Sequence, residues 1–199
     1  MSGERDAGDS TELDRDPPDG VAIEPATPDD RLDALRVLDA AMLETDPEVV
    51  DAAIDAGDAL VARFTRTGAV VGALVATRPE PDRLHVDALA VRRSRRGRGI
   101  GSALVAAAVR RAERDAESTA VTAGFDADLR ALYAGLGFSV RPARYEDALD
   151  PGATDAGAPD PGASDSGASD SGADRVAEGD ADRLWGRRAA DRATGGESP

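Results

Sequence analysis

The stretch that most limits what this chain can fold into runs from Val91 to Ser102, reading Val-Arg-Arg-Ser-Arg-Arg-Gly-Arg-Gly-Ile-Gly-Ser. It joins an apolar run ending at Val91 to an alanine-rich segment beginning near Ile100, through Gly97, Gly99 and Gly101. Glycines let a backbone approach an anion closely, the first N–H groups of a helix have no intrahelical partner, and the helix dipole adds positive potential at the same place. A strand, a glycine-dense turn and a helix in this order form a pyrophosphate cradle. Arg92, Arg93, Arg95, Arg96 and Arg98 put side-chain charge around it. The spacing does not fit the two usual nucleotide loops. A Walker loop needs Gly-Lys, and the chain has no lysine; a dinucleotide fingerprint needs Gly-x-Gly-x-x-Gly, whereas here the glycines alternate.

Arg96, Gly99 and Gly101 match a pattern of Arg or Gln, two residues, Gly, one residue, then Gly or Ala. Before them, Val86-Asp87-Ala88-Leu89-Ala90-Val91 is an apolar-acid-x-Leu-Ala-Val strand, and after them comes Leu132-Tyr133-Ala134-Gly135-Leu136-Gly137-Phe138. Together these segments resemble the GNAT superfamily of N-acetyltransferases, over about residues 21 to 148. The resemblance implies acetyl-CoA as cosubstrate. Its pantetheine arm would lie along the backbone of Leu89, Ala90 and Val91, and its pyrophosphate on Arg96, Gly97, Arg98, Gly99, Ile100, Gly101 and Ser102. One departure stands out: the family usually has Asn seven residues before the tyrosine, and this chain has Asp126. A carboxylate accepts the same hydrogen bonds but does not donate as an amide does.

The resemblance also implies the chemistry. An acceptor amine attacks the thioester directly, so it must lose a proton, the oxyanion needs a donor, and the leaving thiolate is helped by an acid. Tyr133 is the candidate acid, and backbone N–H at Leu89 or Ala90 the candidate donor. His85 and Asp87 are candidate bases. Two apart on one strand, they are expected on the sheet face of Leu89 and Val91. The acceptor is a primary amine, on a protein N-terminus, a lysine or a small molecule; Asp39, Glu44 and Asp46 are possible contacts to it. A catalytically silent acyl-CoA sensor or a protein-interaction module is the other class of reading, and a homodimer is one expected assembly.

Hydrophobic periodicity predicts strands at 21–25, 59–65, 69–77, 83–91, 119–123 and 138–145, with helices at 30–42, 47–56, 100–115 and 127–136. That order predicts a mixed α/β domain: a mostly antiparallel twisted sheet of about six to seven strands flanked by about four helices, over residues 21–148. The chain has no cysteine and one histidine, which excludes disulfides and a multi-histidine metal centre, so no metal is expected. No apolar run is long enough to cross a bilayer and the N-terminus is acidic, so the expectation is a cytoplasmic protein with no membrane partner.

Net charge is −15. Residues 1–20 hold seven acids and two arginines, and residues 150–199 hold eleven acids and five arginines, so much of the excess lies in the flanks. A charge of this sign argues against nucleic-acid binding. Acid-rich, lysine-free composition resembles that of salt-accumulating halophilic archaea. Residues 150–174 cycle through Asp, Pro, Gly, Ala and Ser without one large apolar side chain, so both 1–20 and 149–199 read as disordered acidic segments. Within the second, residues 175–193 carry Val176, Leu184 and Trp185; they read as solvated tail, or else as a short helix that docks on a partner.

Overall fold

A computed structural model describes residues 16–43, 45–143 and 183–190. The order is β1 (Val21–Pro25), α1 (Arg31–Asp39), α2 (Pro47–Asp55), β2 (Ala59–Phe64), β3 (Val70–Glu80), β4 (Arg83–Val91), α3 (Ile100–Arg114), β5 (Ala120–Asp126), α4 (Arg130–Ala134), β6 (Ser139–Pro142) and β7 (Arg183–Ala189). The seven strands make one sheet in the order β1-β2-β3-β4-β5-β7-β6, in which only β4 and β5 run parallel. The mixed architecture expected from periodicity is therefore present.

Local chemistry sets the helix ends. Asp46 accepts from the backbone N–H of Glu48 at 2.9 Å with Pro47 in the first turn of α2, and the Asp30 carboxylate accepts from the backbone N–H of Thr27 at 3.0 Å ahead of α1. The expected helix 30–42 stops sooner, at Asp39. Leu43 N–H bonds Leu38 C=O, Met42 N–H bonds Asp39 C=O, and Met42 has φ 58°, which together form a Schellman stop with methionine where glycine is usual.

The sheet has a core on each side. On one face α3 buries Leu104, Val105 and Val109 against Leu74, Leu84, Val86 and Val121; on the other α1 and α2 bury Val37, Leu38 and Val50 against Val61, Val75, Ala88 and Ala90. A buried carboxylate ties the layers at one end. Asp58 accepts from Arg78 Nε at 2.8 Å and from Arg111 Nε at 3.0 Å, joining the entry of β2 to β3 and α3.

Residues 175–182 and 191–193, like 1–15 and most of the rest of 149–199, lie outside the described residues, and residues 183–189 depart from the expected reading of solvated tail or short helix. They form β7, inserted between β5 and β6, with Gly124 opposite Trp185 and Val140 opposite Gly186. Leu184, Trp185 and Gly186 are all buried, so the strand has neighbours on both faces and lacks the polar–apolar alternation that marks a strand from sequence. Gly186 is where the fit is tightest: a Cβ there would stand 2.9 Å from Phe125 Cε1.

Candidate active site

β4 pairs with β3 up to Val91 but with β5 only up to Val86, opposite Ala123. Beyond that point the β4 edge from Asp87 to Val91 has no strand partner among the described residues, and a cleft of about 410 Å³ opens beside it. Leu89, Ala90 and Val91 line one wall. The loop and α3 N-terminus line a second, with Arg96, Gly97, Gly99, Ile100, Gly101 and Ser102. Asp126, Asp128, Leu129 and Leu132 close the far side, and Ala41 and Leu43, after α1, the near one. Arg98 is exposed and does not line the cleft, whereas Arg95 does.

The loop holds its shape through its own side chains. The Arg95 guanidinium lies over the Phe64 ring at 4.7 Å, and Arg96 Nε donates to Val91 C=O at 3.0 Å, so this N–H of Arg96 clasps the strand end. Gly97 and Gly99 have φ of 72° and 81°, the left-handed region, and a Cβ on either would meet nothing within 4 Å. Gly101 is different. Its Cβ would make an ordinary 3.5 Å contact with Leu132, so an alanine fits there. Ala103 N–H is the first to bond within α3, to Gly99 C=O at 2.9 Å, which leaves the amides of Ile100, Gly101 and Ser102 without an intrahelical partner, where the helix dipole is positive.

Tyr133 does not line the cleft. It is 2 % exposed, stacked on Phe125 at 4.0 Å between centroids and edge-on to Phe138 at 5.2 Å. Burial raises the phenol well above its ordinary range, so the hydroxyl stays protonated at neutral pH.

His85 and Asp87 are not placed as strand alternation predicts. Val75 pairs with Ala88 and the next β3 residue, Ala76, pairs with Val86, so Asp87 is an extra residue in a β-bulge. The bulge inverts the alternation. Leu84 and Val86 face α3 before it and Leu89 and Val91 after it, while His85 faces the opposite side. There His85 Nδ1 lies 3.0 Å from Thr122 Oγ1 and the ring stacks on Trp185 at 5.1 Å. Burial holds the imidazole below its ordinary pKa; the Asp87 charge pulls the other way and the Arg83 charge adds to the lowering. Asp87 is exposed at the bulge, where the two strands part.

Sequence reasoning missed Trp185 and Arg187, which β7 brings beside His85 and Thr122. The signal was the only tryptophan of the chain, placed in a segment otherwise poor in large apolar residues. Of the possible amine contacts, Asp46 caps α2, Asp39 ends α1, and Glu44 lies outside the described residues. Among the described residues no group of three or more His, Cys, Asp or Glu is placed to hold a metal, and no helix is long and apolar enough to cross a membrane.

A sequence model of the acetyltransferase (GNAT) family matches residues 29–138. Among solved structures, Ard1 from Thermoplasma volcanium superposes with a TM-score of 0.58 at 16 % identity, covering 87 % of this chain and 99 % of its own. The putative acetyltransferase yncA from Salmonella typhimurium, solved with acetyl-CoA, gives 0.56 at 17 % identity over 90 % of this chain and 99 % of its own. Rv2747 from Mycobacterium tuberculosis, solved with CoA and NLQ, gives 0.52 at 23 % identity over 63 % of this chain and 77 % of its own. These likenesses concern the fold. No curated protein matches the sequence.

Proposed function

Because the chain belongs to the acetyltransferase (GNAT) family, we propose that it transfers an acetyl group from acetyl-CoA directly to a primary amine, both substrates being bound together. The observation that carries this reading is one continuous cleft that runs from the unpaired edge of β4 to the free amides of α3. An extended pantetheine arm can add to that edge as a strand does, and a pyrophosphate suits the left-handed glycines and the helix start. Relatives solved with CoA or acetyl-CoA support the same ligand class.

The thioester supplies an electrophilic carbonyl. Asp87, exposed where the strands part, holds the acceptor ammonium and takes its proton directly or through water; His85, buried on the face opposite α3, is the other candidate base. The amine nitrogen then bonds to the carbonyl carbon, a backbone N–H of Leu89 or Ala90 meets the oxygen as charge develops, and the carbon–sulfur bond breaks. The proton for the thiolate is assigned to Tyr133, kept neutral by burial; the step requires its hydroxyl, which does not line the cleft, to turn toward the sulfur. The acid-rich composition supports operation in concentrated salt, inside the cell.

Calorimetric titration with acetyl-CoA, CoA and ATP, at low and at molar salt, tests the cofactor. Binding of acetyl-CoA and CoA without ATP, followed by amine-dependent thiol release, is the expected result; no binding in either salt removes the reading.

A further inference from the structure

A second cavity, of about 400 Å³, lies on the sheet face opposite α3, over β5, β7 and β6. Helices α1 and α2 pack over β2, β3 and β4 and leave this half of the face uncovered among the described residues. Its lining includes Arg83, Arg141 and Arg187 together with Thr122, Ser139 and Trp185, and no acidic residue. In a chain with 39 acids against 24 arginines, such a patch is a local reversal of charge.

The arginines are held differently. Arg83 is 4 % exposed at its side chain and bonds Glu80 at 2.7 Å, so its charge is already matched. Arg187 is exposed and has no ion-pair partner among the described residues. Trp185 supplies a flat wall beside it, fixed by its stack on His85 and by a 3.8 Å approach to the site of a Gly124 Cβ. A planar guanidinium with open donors next to an aromatic wall suits a carboxylate on a chain that lies along the wall.

Position decides how long that chain must be. Arg187 pairs with Thr122, which pairs with His85, two residues before Asp87; two strand positions and two inter-strand spacings put the Arg187 backbone about 12 Å from that of Asp87. The γ-carboxylate of free glutamate lies only about 5 Å from its own amine, so it bridges the two only if both side chains reach toward each other. In an extended peptide each residue adds about 3.3 Å, so a side-chain carboxylate on the third or fourth residue reaches Arg187 while the N-terminal amine sits at Asp87.

We propose that this cavity is a specificity subsite for an acidic side chain at the third or fourth position of a peptide acceptor, with Arg187 as the residue that reads it. This rests on the acetyl-transfer reading above for its register, and on the cavity alone for its charge preference. Trp185, the only tryptophan, reports occupancy without turnover.

The experiment follows Trp185 emission at one fixed ionic strength during titration with Ser-Ala-Glu-Glu amide, Ser-Ala-Gln-Gln amide and free glutamate, on the wild type and on Arg187→Gln. The acidic peptide should bind at least about tenfold tighter than the glutamine peptide and than glutamate, and Arg187→Gln should reduce that preference to within about twofold while leaving acetyl-CoA affinity unchanged. Equal affinity for both peptides, or a preference that survives in Arg187→Gln, overturns the proposal. Saturation by free glutamate as tight as by the acidic peptide overturns the peptide length. Thiol release with the same peptides separates the two readings: turnover without acid preference sinks the subsite alone, whereas acid-selective binding without acetyl-CoA binding sinks the transferase alone.

Discussion

Nδ1 of His85 and Oγ1 of Thr122 stand 3.0 Å apart across the β4–β5 pair, in the last paired rows before the strands separate. The contact fixes the imidazole plane beside Trp185, and burial favours the neutral ring. A group whose folded pKa lies below its unfolded value, here about 6.5, stabilises the fold above that value and loses the contribution as pH falls. The denaturant midpoint of the wild type should therefore drop between pH 7 and pH 5.5, and His85→Gln should show a flatter profile over the same range. Equal slopes by urea unfolding would mean that the imidazole does not titrate with folding.

The cradle makes unequal demands on its glycines. Gly99→Glu puts a side chain in the left-handed region, which costs about 1–2 kcal/mol, and a negative charge where a pyrophosphate must sit. Acetyl-CoA binding should be lost. Gly101→Ala adds only an ordinary contact to Leu132 and should bind acetyl-CoA within a few-fold of the wild type. Calorimetry on both variants checks the contrast, and it fails if the two lose affinity alike.

Tyr133→Phe keeps the rings packed on Phe125 and Phe138 and removes only the hydroxyl. If the phenol is the acid, turnover should fall by about a hundredfold with acetyl-CoA affinity unchanged. An unaltered rate in a steady-state thiol-release assay would leave Tyr133 a packing residue.

Gly186→Ala should destabilise the sheet. The added methyl would lie 2.9 Å from Phe125 and 3.2 Å from Phe138, both in the core, and overpacking of this kind costs about 1–3 kcal/mol. For a chain of this size that is a melting point lower by roughly 2–12 °C in a thermal scan. A melting point unchanged would show that the rings move aside freely.

What could be read from the sequence was local. The run from Val86 to Ser102 carries strand, turn and helix within one short span, and the cleft residues from Leu89 to Ser102 come together there, Arg98 excepted. The facing of His85 was not legible, because the inversion is made by β3: only the pairing of Val75 with Ala88 and of Ala76 with Val86 reveals that Asp87 is an extra residue. Strand β7 was illegible for a related reason. Leu184, Trp185 and Gly186 are fixed as a strand by partners on β5 and β6, and a polar stretch of about 40 residues separates them from Pro142.

That interval has a bearing on how the protein is made. The ribosome releases β5 and β6 well before β7, yet β6 joins the sheet through β7, and β5 receives its second neighbour from β7. Until residue 189 has emerged, the nascent sheet ends at β5, with Gly124 and Phe125 on an open edge of the kind that pairs with other chains. Closing it requires a distant segment to find a slot between two strands already made, a late and entropically costly step. The final commitment to the native state, and with it the completion of the wall that carries Trp185 and Arg187, waits on residues 183–189, the last of the seven strands to be made.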